Sequence, residues 1–179
     1  AQPYDRRLVQ LAGDTLPAAT RLVVWSRLGR AAAESHAWRD AIDAFEAAFT
    51  LEPESERGRE ALSMLNEAYA RLGDAPGQYR TTMRLAARAG GEEGEALFRA
   101  ALALLDAPDE AIGALEWLLA RHPGEVALYE KGQRAYRALG RLGELVALHE
   151  RHAAAVGGPA ASKALLAAAQ LVEGELLEG

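Results

Sequence analysis

The sequence predicts an all-α protein, an α-solenoid of stacked antiparallel helical hairpins with about ten helices. Three observations lead there. Half of the 179 residues are hydrophobic while only 6% are aromatic, so alanine and leucine supply most of the apolar surface, a composition that favours helices over strands. Pro17, Pro53, Pro123 and Pro159 stand 36, 70 and 36 residues apart, a period near 35 with one mark missing around Arg88–Gly90; repeats of that length are two-helix units. Ala41, Ile42, Phe45, Ala48 and Phe49 return 70 residues later as Ala111, Ile112, Leu115, Leu118 and Leu119, each set a stripe along one helix face.

Taken in order, the stripes and their stops predict the following elements. A helix over 3–12 precedes Pro17 and reads as the second half of an incomplete hairpin. The helix over 19–34 carries Trp25, Leu28 and Ala32 on one face, with Gly29 permitting close approach of a neighbour. Ala41, Phe45 and Ala48 on a helix over 38–51 supply the facing stripe, and Pro53 stops it. Leu62, Leu65 and Tyr69 define a helix over 57–72 that ends at Gly73. The next, over 76–89, starts from Asp74-Ala75-Pro76, an acceptor at the N-cap with proline in the first turn, and carries Thr82 where a large apolar residue is expected. Phe98 and Leu102 mark a helix over 92–105. A second Asp-Ala-Pro at Asp106–Pro108 is expected to start a helix over 109–121 in the same way, with Ala111, Leu115 and Leu118 inward. Tyr129 and Tyr136 lie on a helix over 125–139 ending at Gly140. A helix over 142–155 has Leu145 inward and His149 and His152 where the first unit has Phe45 and Ala48. The last, over 160–175, reads as the first helix of a further hairpin or as a cap.

Trp25, Leu28-Gly29 and Ala32, followed by Ala41, Phe45, Ala48 and Pro53, closely resemble the tetratricopeptide repeat signature. Only the tyrosine usual at the Ala32 position is replaced. The resemblance divides a single repeat domain over 1–179 into a partial repeat at 1–17, repeats at 18–54, 55–89, 90–124 and 125–159, and a partial repeat or cap at 160–179, so that the chain is expected to be a slice of a longer solenoid. It implies a right-handed superhelix whose first helices line a concave face suited to an extended peptide or a helix of a protein partner.

Residues on the first helices that point away from the hairpin contact are the candidates for partner binding. They are Ser26, Arg30 and Glu34 in the first repeat and Ser63, Glu67 and Arg71, with Glu60, in the second. The third offers Ala100 between Ala96 and Ala103, and the fourth Glu130, Arg134 and Arg137. Arginine forks hold carboxylates bidentately, so the expected partner is an acidic segment.

Other functions fare less well. The formal charge of -6, with Lys131 and Lys163 the only lysines, repels phosphate backbones and argues against nucleic acid. RNA-binding pentatricopeptide repeats share the hairpin length but need a basic groove. Without cysteine there is no thiolate nucleophile or thiolate metal site, and cytoplasm and periplasm both stay open. No apolar stretch is long enough for direct membrane insertion. His149 and His152 lie three apart, a spacing two imidazoles can share on a metal, but His149-Glu150-Arg151-His152 lacks the HExxH arrangement and no third ligand is indicated, so they read as packing residues. Charge runs such as Glu92, Glu93 and Glu95 suit helix starts. With no paired-acid cleft, phosphate-binding loop or nucleophile, the chain is expected to need no cofactor or metal and to catalyse no reaction, acting as a scaffold or as an accessory segment of a larger enzyme or envelope assembly. The alanine and arginine bias with so little lysine points to a GC-rich bacterial source.

Overall fold

The structure is a computed structural model that describes residues 16–107 and 109–178, and all regular structure among them is helical. Two compact units divide between Gly90 and Gly91. The first holds α1 (Ala18–Glu34), α2 (Trp38–Leu51), α3 (Glu56–Leu72) and α4 (Ala75–Ala89). The second holds α5 (Gly91–Leu104), α6 (Ile112–Arg121), α7 (Val126–Ala138), α8 (Leu142–Val156) and α9 (Gly158–Glu178). The helix predicted over 3–12 lies outside the described residues.

In the first unit each helix packs on the next in sequence, α1 on α2, α2 on α3 and α3 on α4. The buried line on α1 is Leu22, Gly29 and Ala32, with Trp25 and Leu28 half-buried, so the contact begins one turn earlier than the predicted stripe. At Gly29 α1 approaches α2 closely, because a Cβ there would come within 2.6 Å of the Phe45 ring. Phe45, Leu62 and Leu65 are sealed in the centre, and Tyr69 closes its edge by donating from its hydroxyl to Glu46 Oε1 at 2.6 Å. Burial first, and the acidic acceptor second, push the Tyr69 pKa up to about 12. Trp38 lies half-buried against the same cluster.

Between α3 and α4 the contact turns polar. Asn66 Oδ1 accepts from the buried hydroxyls of Thr81 at 2.6 Å and Thr82 at 3.0 Å. Thr82 therefore stands in for a large apolar residue by satisfying a hydrogen bond, the condition under which a polar group is tolerated in a core.

Two helix starts, those of α3 and α4, follow one local rule. Ser55 Oγ accepts from the Gly58 amide at 3.0 Å, and Asp74 Oδ1 accepts from the Gly77 amide at 2.9 Å. In both, the third residue is a glycine pressed against its surroundings, since a Cβ would meet the Glu52 carbonyl at 2.0 Å or the Tyr69 ring at 2.3 Å. The second Asp-Ala-Pro departs from expectation: α6 begins at Ile112, after a turn in which the Ile112 amide reaches the Asp109 carbonyl, and Ala111 at its cap has no side-chain hydrogen bond. Asp109 occupies the place of Gly58 and Gly77, so the chain there lacks the bare backbone that lets the capped turn seat against a neighbour. The helix expected over 109–121 is accordingly shorter, Ile112–Arg121.

The second unit repeats the sequential packing, α5 on α6 through to α8 on α9. Phe98 stacks on Trp117 with ring centres 4.0 Å apart, and the Arg121 guanidinium sits 3.8 Å from the Trp117 ring centre, an aromatic and cation–π layer at the α5–α6 contact. Leu115, Leu118, Leu119, Leu145 and Leu148 form the deeper layer. Gly132 lets α7 settle onto Leu148 and Leu119, with a Cβ position only 2.8 Å from the former. At Gly157, where φ is 67°, the chain passes straight from α8 into α9. Helix α9 buries Ala164 and Ala168 and leaves Leu165, Leu166 and Val172 exposed.

Candidate functional site

In each unit the first helices of successive hairpins share a shallow groove. In the first unit α1 contributes Leu22, Ser26, Arg27 and Arg30, α3 contributes Arg57 and Glu60, and the cavity between them is about 150 Å³. Arg30 and Glu60 are ion-paired across it, both well exposed. An exposed pair contributes roughly 0–1 kcal/mol, so Arg30 is already engaged but only weakly held.

In the second unit two cavities of about 190 and 170 Å³ meet along α5 and α7, since Leu102 and Lys131 line both. One end is closed by charge: Arg99 grips Glu125 bidentately at 3.0 and 2.8 Å and reaches Glu95 at 3.2 Å. His122 Nε2 lies 2.9 Å from Glu95 Oε1. His122 and then Arg99 hold the Glu95 carboxyl below its ordinary range, and Arg99 does the same for Glu125. The floor is apolar, with Leu102, Ala103, Ala127 and Leu128. At the other end stand Leu105, Asp106, Lys131 and Arg134.

The residues expected to bind a partner are distributed unevenly over these grooves. Ser26 and Arg30 line the first groove and Arg134 the second. Glu34, Ala100, Glu130 and Arg137 are exposed on the same helices but outside the cavities. Ser63 is turned back on its own helix, donating to the Arg59 carbonyl at 3.1 Å, and Glu67 pairs with Arg71 at 3.4 Å one turn away. Reading each first helix as one outward stripe overlooked Arg27, Arg57, Arg99, Leu105 and Lys131. A groove between two helices is lined by a flank of each rather than by the crest of either, and the available signal was a pair of cations three apart on one first helix, Arg27 with Arg30 and Lys131 with Arg134.

His149 and His152 are buried within the second unit. Tyr129 bridges them, its hydroxyl 2.6 Å from His149 Nδ1 and its ring stacked on His152 with centres 3.8 Å apart. His152 Nδ1 lies 2.8 Å from the Pro123 carbonyl, which can only accept, so that nitrogen carries the proton. His149 Nε2 is sealed without a partner, and burial pushes the pKa of this ring below its ordinary value, with Arg137 and His152 adding repulsion. The pair is thus part of the core. Among the described residues no three histidine or carboxylate side chains gather as metal ligands, and no helix is long and apolar enough to cross a membrane.

No protein-family model matches this chain, and no curated protein matches it significantly.

Proposed function

We propose that the chain is an α-solenoid of tetratricopeptide-like hairpins and acts as a protein-interaction scaffold, holding an extended peptide or a helix of a partner along its first helices. The observation that carries this reading is that, in both units, neighbouring first helices line an open groove in which cations stand beside an apolar floor. Regularly spaced side chains over a rigid helical base suit a linear ligand, which gains area from successive repeats without reordering the receptor. The close Gly29–Phe45 approach and the Trp25, Leu28, Ala41 and Ala48 spacing support the family resemblance. Cations in both grooves favour an acidic segment.

Panning a random-peptide library on the chain tests the reading. It is expected to return a linear consensus whose binding is abolished by Ala103→Trp, which fills the second groove, and untouched by Ala120→Trp on the exposed side of α6. Equal loss with both, or no enrichment at all, removes the proposal.

A further inference from the structure

We propose that α9 pairs with α9 of a second copy of this chain, the two helices antiparallel about a two-fold axis, to form a weak dimer. The contact is separate from the grooves lined by α1, α3, α5 and α7 and does not depend on their having a ligand. Helix α9 repeats α7 at the 36-residue spacing that separates Pro123 from Pro159. The buried line Leu128, Gly132 and Ala135 of α7 returns as Ala164, Ala168 and Leu171, the two alanines buried and Leu171 half-buried. Tyr129 and Tyr136 return as Leu165 and Val172. On α7 these positions pack against the next helix, Tyr129 stacking on His152 of α8 and Tyr136 lying buried beneath Arg141 at the start of α8. On α9 they face water: Leu165 is 51% exposed, Val172 43% and Leu166 beside them 60%, while Ala164 at 2% and Ala168 at 6% face inward. Large apolar side chains outward and small ones inward are the mark of an unfilled helix contact rather than of a solvated cap, whose outer face is polar.

The same face of a second copy fits this one. Leu165, Ala169 and Val172, four and three residues apart, form one line along α9, and Lys163, Leu166, Gln170 and Glu173 form a second beside it. A two-fold axis midway between Leu165 and Val172 sets each leucine level with the other copy's valine. It also brings the two Ala169 side chains together, where their small size lets the helices approach. In that register Lys163 stands within one residue, about 1.5 Å of helix rise, of the level of the other copy's Glu173, on the same edge of the contact. Both side chains are exposed, and neither is ion-paired among the described residues of its own chain. Antiparallel copies thus make two Lys163–Glu173 pairs and oppose their helix dipoles, whereas parallel copies set lysine against lysine and glutamate against glutamate. One pair of helices covers less than the roughly 800 Å² per partner of a standard interface, so the association is weak.

The test is sedimentation velocity on the full chain, from about 1 µM to about 1 mM. The mass is expected to rise from monomer to dimer with a Kd of about 10–100 µM. Leu166→Glu combined with Val172→Glu is expected to weaken the dimer at least about tenfold while the circular dichroism spectrum and thermal melt stay those of the wild type, since both side chains lie outside the core. Lys163→Glu alone is expected to weaken it about threefold, and Glu173→Lys added to it to restore the loss, because the swap re-forms both pairs with their signs exchanged. The chain has no cysteine, so Ala169→Cys supplies a sole thiol that a short bis-maleimide is expected to link into a covalent dimer, while Ala120→Cys on the exposed side of α6 stays monomeric. A monomer over the whole concentration range overturns the proposal, as does a dimer that survives the double glutamate variant. Species that grow beyond a dimer overturn the two-fold closure. Failure of the charge swap to restore association, or cross-linking through Ala120→Cys as fast as through Ala169→Cys, overturns the antiparallel pairing.

Discussion

His149 sits in an environment that ties stability to pH. Its ring is sealed beneath Tyr129, with one nitrogen unpartnered, and its folded pKa lies below its ordinary value because burial penalises the charged ring. In the unfolded chain it takes a proton near the ordinary histidine pKa of about 6.5, so below that pH the unfolded state binds more protons and stability falls as acid is added. The stability is fully present above the unfolded pKa and is lost as pH falls through the folded one. The expected result is a melting temperature that drops as the pH falls below about 6.5, before the carboxylates Glu95, Glu125 and Glu144 begin to titrate, and a flatter curve for His149→Leu. An unchanged pH profile in that variant would exonerate the ring. Gly29 makes the second prediction at this scale. Alanine there gains up to about 1 kcal/mol of helix propensity but drives a methyl into the Phe45 ring, and overpacking of that kind costs about 1–3 kcal/mol. Denaturant unfolding is expected to show Gly29→Ala destabilised and Phe45→Leu restoring much of the loss, whereas a stabilised single variant would show that the ring swings aside freely.

At the scale of an element, two identical tripeptides behave differently, and the difference is testable. Asp74 caps α4 through the Gly77 amide, whereas Asp106 makes no such cap among the described residues. Asp74→Ala is expected to cost about 1 kcal/mol in chemical denaturation and Asp106→Ala close to nothing; equal effects would mean that the cap is energetically idle. The same contrast shows what could be read from residues alone. Helical stripes were legible because three or four large apolar side chains per helix outweigh every local preference, which is why Trp38–Leu51 and Glu56–Leu72 begin and end within a residue of expectation. The start of α6 was not, because capping depends on whether the third amide can be approached. Glycine three places after the acceptor, as in Ser55–Gly58 and Asp74–Gly77, was the discriminating pattern, and Asp106–Asp109 lacks it. The α1 line through Leu22 was missed for a related reason: a motif anchored on Trp25 looks forward along the chain, while the packed turn lies behind it.

At the scale of the whole molecule, charge and core give different kinds of information. The sign of the grooves was partly legible, since Arg30 and Arg134 sit in them, but which cations are open and which are spent depends on partners 26 or 30 residues away, such as Glu125 for Arg99 and Glu60 for Arg30. No spacing rule along one helix reports that. The division at Gly90 is likewise a matter of where buried side chains find their neighbours. Phe45, Leu62, Leu65 and Tyr69 come from α2 and α3, and Leu115, Leu119, Leu145 and Leu148 from α6 and α8, so each unit seals a core from its own helices. Domains of roughly 60 residues already fold alone when they close such a core. Residues 1–90 and 91–179 made separately are therefore each expected to give a helical circular dichroism spectrum and a cooperative thermal transition at neutral pH. Because both buried histidines lie on α8, the acid-dependent loss of stability is expected to travel with the second fragment and to be absent from the first. A first fragment that loses stability over the same pH range would detach the effect from His149, and a fragment without a cooperative melt would show that its core needs the other half of the chain to close.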